Sequence, residues 1–95
     1  MRYVKVTWHH DFPDEPVHYF HEVGDDNYET RRVQIYRDGH AEWADETHET
    51  ATAGVAEIPI GPLEEITSQP EFDAEEISKE QFEEQWARAR DTTRP

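Results

Sequence analysis

The sequence predicts an α+β domain: an antiparallel β-meander of three to five strands with a C-terminal α-helix packed on one face. Three observations carry this. Residues 2–8 alternate in side-chain type, the period of a half-buried strand. Arg37-Asp38-Gly39 separates two further strand-like runs and reads as a hairpin turn. Ser78 and Gln81 have capping-box spacing, and Phe82, Trp86 and Ala89 then follow at helical intervals.

In the first strand, Val4, Val6 and Trp8 share one side, and Tyr3, Lys5 and Thr7 the other. For the hairpin, strands at 29–37 and 40–44 admit two loop lengths. A two-residue Asp-Gly loop leaves Ile35 facing Glu42. A three-residue loop with Gly39 in a left-handed bulge position pairs Val33 with Trp43 and Ile35 with Ala41. Only the second keeps apolar residues on one face, and register follows burial. A further strand at 17–23 turns through Gly24-Asp25-Asp26-Asn27, and pairing Val23 with Glu29 sets Tyr19 opposite Val33 and Val17 opposite Ile35. The predicted inner face is therefore Val17, Tyr19, Val23, Val33, Ile35, Ala41 and Trp43. His18, Phe20, Glu22 and Thr30, with Arg32, Gln34, Tyr36, His40 and Glu42, fall on the outer, wet face.

Residues 45–57 read as a loop, with a short edge strand from Val55 to Ile58. Pro62 opens a helical turn through Ile66. The last helix runs from Ser78 to about Arg90, with Ile77 and Phe82 as its hydrophobic staple and Arg88 and Arg90 suited to its C-terminal dipole. Docking Phe82 and Trp86 onto Trp43, Val33 and Val6 closes the core. A single domain over residues 1–90, with a frayed tail at 91–95, is the expected organisation.

At 95 residues the chain buries roughly 60–65% of its unfolded surface. A net charge of −14 and a mean hydropathy of −1.09 also occur in disordered chains. Three Trp, four Tyr and four Phe argue for a folded core, because each buries about 150–250 Å². With no cysteine, disulfides and thiolate metal ligands are excluded. No run has the length and apolarity of a signal peptide or a bilayer span, so a soluble, cytoplasmic protein is expected. The negative charge opposes nucleic-acid backbones and anionic membranes, which bind clustered Lys and Arg.

Residues 7–23 (TWHHDFPDEPVHYFHEV) hold four of the six histidines. On a helix, His18, His21 and Glu22 would meet on one face as metal ligands. The β-branched and aromatic composition favours a strand. There His18 and His21 point to opposite faces, and His18 and Glu22 lie about 13 Å apart at ~3.3 Å per residue. Around His9, His10 and Asp11 two readings stand. One histidine meets Asp11, Asp14 or Glu15, or else Asp11, Pro13, Asp14 and Pro16 shape a rigid corner with Phe12 tucked beneath it. No phosphate loop or serine elbow is present.

Two surfaces are candidates for partner binding. One is the outer sheet face, with Phe20 opposite Arg32 as a cation–π pair and His18, Glu22, Tyr36 and His40 around them. The other is the run from Glu64 to Glu84, nine carboxylates against Lys79, including Glu75, Glu76, Glu80 and Glu83.

The stretches WHHDFPDEP, RRVQIYRDG and PLEEITSQPEFDAEEISKEQFEEQW together resemble a family of small, acidic, uncharacterised single-domain bacterial proteins, common among actinobacteria. The likeness spans nearly the whole chain and implies no activity, cofactor or catalytic residue. It also implies that His18 and His21 are particular to this chain.

The leading expectation is a non-enzymatic protein-interaction module without cofactor, monomeric or weakly dimeric. Its most concrete form is an immunity or inhibitor protein that masks a basic effector. The alternative is a small metal-dependent or acid–base enzyme using His10, Asp11, His18 and Glu22.

Overall fold

The computed structural model describes residues 1–49, 54 and 61–92, with the side chain of Thr92 left aside. Its elements are β1 (Arg2–Trp8), β2 (Pro16–Val23), β3 (Glu29–Tyr36), β4 (Ala41–Asp45), α1 (Leu63–Thr67), β5 (Phe72–Ile77) and α2 (Lys79–Thr92). The strands form one sheet in the order β4-β3-β2-β1-β5, with every neighbouring pair antiparallel. This is the predicted α+β class. The expected edge strand at Val55–Ile58 lies outside the described residues.

The β3–β4 hairpin has the predicted register, Val33 opposite Trp43 and Ile35 opposite Ala41. The three-residue loop closes through Tyr36 N–H to the His40 carbonyl (3.0 Å), and Gly39 has φ 93°. An L side chain resists that backbone conformation, which explains the glycine.

The β2–β3 pair differs from the expected pairing. Val23 does face Glu29, but the register then shifts, so Glu22 faces Arg31 and Phe20 faces Val33. Thr30 is the extra residue; its hydroxyl bonds the Glu22 carbonyl (3.3 Å) and Oε1 (2.7 Å). A second irregularity at Val17 returns the strands to pairing Pro16 with Tyr36. A one-residue slip turns every side chain over. Phe20 therefore enters the core, while Tyr19 moves to the other face opposite Val6 and Gln34.

β1 is also the other way up. Tyr3, not Val6, meets the helix, with its ring 5.4 Å from Phe82. Beneath α2 lie Tyr3, Phe20, Val33, Ile35, Ala41, Trp43 and Ile77; Val17, Tyr19 and Val23 do not join them. Trp86 packs edge-on to Trp43 at 5.2 Å and 74°, as the sequence suggested. The reverse face, expected to be wet, is buried too: Val4 and Val23 are fully enclosed, as is Ala44. Tyr3, Phe20 and Trp43 pack under α2 while Val4, Val6 and Tyr36 are buried on the reverse face, so the small sheet buries residues on both sides.

α2 starts at the predicted capping box. Gln81 N–H bonds Ser78 Oγ (3.1 Å), and Ser78 N–H bonds Gln81 Oε1 (2.8 Å). It continues through Asp91 and Thr92, past the expected end at Arg90. Pro62 stands at the N-cap of α1, one position before the first helical residue. β5 has no counterpart among the strands read from the sequence, where Asp73, Glu75 and Glu76 make its segment part of the acidic run. At the edge of the sheet among the described residues, where it pairs with β1, it tolerates such exposed charge.

Candidate functional site at the open end of the sheet

The helix-side face has a closed end and an open end. At the closed end Glu22, Arg31 and Glu83 form one ion-pair latch between sheet and helix. Arg31 also lies over the rings of Phe82 (4.8 Å) and Trp86 (4.9 Å). Charge-assisted bonds from Arg31 hold the Glu22 carboxyl below its usual range against the opposing effect of burial. Tyr3 is shifted up, first by burial and then by the nearby Glu22.

Four residues along β2 from Glu22, on the same face, His18 pairs with Thr7 across from β1, and Thr7 Oγ1 is 3.4 Å from His18 Nδ1. They border a groove of about 700 Å³ that also takes in Trp8, His10, Asp11 and Arg37. Burial lowers the His18 pKa, and the positive charges of Lys5 and His9 lower it further.

The groove wall is the corner between β1 and β2, and His10 organises it. Its Nε2 donates to the Pro16 carbonyl (2.8 Å), and its Nδ1 accepts the Phe12 N–H (2.9 Å). This bonding assigns a neutral ring with the proton on Nε2. Arg37, from the start of the hairpin loop, donates to the His10 carbonyl and ties the corner to β3. Trp8 stands 4.0 Å from the His10 ring and 5.9 Å from Phe72. His9 meets none of the nearby acids but binds Asp73 of β5, Nε2 to Oδ2 at 2.6 Å. Phe12 is not tucked beneath the corner: it stacks on His10 and stays 58% exposed. A corner braced by an imidazole carries its phenyl ring on the outside.

The residues assigned to the outer sheet face do not share a surface. His18 borders the groove, Phe20 is in the core, and Glu22 is in the latch. Arg32 is on the reverse face, bonded to the enclosed Glu29 (Nε–Oε1 3.0 Å) and to Gln34 (3.2 Å). Glu29 also receives the buried His21. Tyr36 is buried and stacks on His40 at 4.1 Å. His40 itself is exposed and pairs with Asp38. The proposed Phe20–Arg32 stack is replaced by Lys5 over Phe20 and Arg32 over Tyr19, each at 5.9 Å. The bulge at Thr30 is the cause, since it turned Phe20 inward. Glu75, Glu76 and Glu80 are exposed, and Glu83 is half-buried against Arg31.

His10, Asp11 and His18 do border the same groove, but Glu22 is held by Arg31 at the closed end and both His10 nitrogens are engaged. Among the described residues, no three metal-ligating side chains converge. Arg37, a turn residue by its sequence position, is also part of the groove. Its position directly before Asp-Gly at a strand end was the available signal.

Among the described residues, the fold and groove define a small α+β domain with an antiparallel sheet, a packed C-terminal helix and an open sheet end. The chain belongs to the family described as a domain of unknown function, DUF6881, which matches residues 2–91. No curated protein matches it, and no solved structure does. Among the described residues, no helix is long and apolar enough to cross a membrane.

Proposed function

We propose that this chain is a non-enzymatic interaction domain for a basic protein, acting in the cytoplasm as an immunity or inhibitor protein that masks a nucleic-acid-binding surface. The observation that supports this reading is the distribution of the carboxylates from Glu64 to Glu84. They fall on α1, the turn at Glu71, β5 and the first half of α2, and all but the latched Glu83 are exposed. A dense negative surface raises the encounter rate with a cationic partner and repels a second copy of itself. Glu75, Glu76 and Glu80 are the contact residues of this reading. Phe20, Glu22 and Tyr36 are buried, and the half-buried Arg32 is bonded to Glu29 and Gln34, so these four serve the fold instead.

The test is a pull-down from the native host at low and high salt, with the Glu75→Gln/Glu76→Gln/Glu80→Gln variant alongside. A basic protein retained at low salt by the parent chain, and released by the variant, is the expected result. If neither ionic strength retains a basic protein, the inhibitor reading fails.

A further inference from the structure

We propose that the groove at the open end of the sheet, bordered by Thr7, His18, Trp8 and Arg37, binds a small oxyanion, the carboxylate or phosphate group of a ligand. This site lies apart from the acidic surface on α1, β5 and α2 and does not depend on the reading given to it.

The groove departs from the chain's overall composition. The sequence has 23 Asp and Glu against nine Lys and Arg, yet the groove is bordered by three histidines and an arginine, with Asp11 its one carboxylate. Nearby carboxylates on β5 are matched by groups on β1: Asp73 binds His9, and Glu75 stands opposite Lys5. This matching leaves His18 and Arg37 to face a ligand.

Arg37 offers five N–H donors and gives one to the His10 carbonyl. The Thr7 hydroxyl occupies the Nδ1 side of His18, leaving Nε2. Hydroxyl, imidazole and guanidinium are together an oxyanion-binding donor set. Thr7 and His18 sit on paired strands and the adjoining corner is braced by His10 and Arg37, so little ordering is required on binding. An anion here also relieves the positive field of Lys5 and His9 at His18.

The test is an NMR titration of the whole chain with sodium sulfate and, separately, sodium acetate, with ionic strength held constant by chloride. Side-chain signals of His18 and Arg37 report binding. Saturable shifts are expected, with affinity rising as pH falls through the lowered His18 pKa, because the protonated ring adds a cation beside Arg37. His18→Gln and Arg37→Lys each weaken binding about threefold to tenfold, and Asp11→Asn strengthens it. Saturation by sulfate alone identifies a phosphate-type ligand, and by acetate alone a carboxylate. Linear, unsaturable shifts with both salts overturn the site, as does binding unchanged in both the His18→Gln and Arg37→Lys variants.

Discussion

Glu22 and His18 stand on the same face of β2, four residues apart, and meet opposite fates. Glu22 is enclosed under α2, paired with Arg31 and bonded to Thr30. His18 lies farther along, beside Thr7, bordering an open groove. Both are polar residues on an antiparallel strand, and strand geometry does not distinguish them. The footprint of the helix does. Where Phe82 and Trp86 cover the sheet, a charge persists only if its partner is covered with it. Beyond that footprint, polar side chains remain available to a ligand.

Substitutions that remove the helix footprint test this contrast most severely. Trp86→Ala and Phe20→Ala should each cost about 3–5 kcal/mol, most of the stability of so small a domain. Chemical denaturation measures this, and an unchanged midpoint in either variant would refute the packing. Breaking the latch ranks next. Arg31→Ala leaves Glu22 enclosed without its cation and should cost roughly 2–4 kcal/mol. Glu83→Gln, on the more exposed arm, should cost no more than about 1 kcal/mol. A Glu83→Gln loss as large as that of Arg31→Ala would mean the latch is anchored on the helix and not on the sheet.

Both ends of the face also respond to acid, in separate windows. The folded His18 pKa lies below its ordinary 6.5, so the unfolded chain takes up the proton first. Stability is full above about pH 6.5 and declines as pH falls toward the lowered pKa. Glu22 is likewise lowered from 4.5, so its contribution holds above that value and is lost as pH falls through the folded pKa. Melting temperature against pH should therefore fall in two steps. His18→Gln should flatten the upper step and Glu22→Gln the lower, and a profile that His18→Gln leaves unaltered would contradict the upper assignment. The smallest effect belongs to the corner. Phe12→Ala, with more than half its surface already in water, should change stability by less than about 1 kcal/mol. A larger loss on thermal melting would show that the phenyl ring supports the corner.

Much of this architecture was legible in local patterns. Gly39 and the alternation around it specified the β3–β4 register, because only one loop length placed Val33, Ile35 and Trp43 together. The Ser78–Gln81 box specified where α2 begins. Extended backbone through His18 and His21 set those rings on opposite faces. β5 was illegible for a different reason. Its signal is weak at an edge, where pairing with β1 supports a segment whose side chains are largely exposed.

The sequence by itself determined the α+β class, the hairpin and the capped helix, since each rests on interactions between residues close along the chain. Only the tertiary structure decided which side of β1 and β2 faces α2. That choice turns on one bulge at Thr30 and on whether Phe20 or Tyr19 is buried against Val33, a competition between distant surfaces that local spacing does not encode. The groove is equally tertiary in origin: Arg37 reaches His10 from the β3–β4 loop, and Asp73 reaches His9 from β5, 64 residues along the chain.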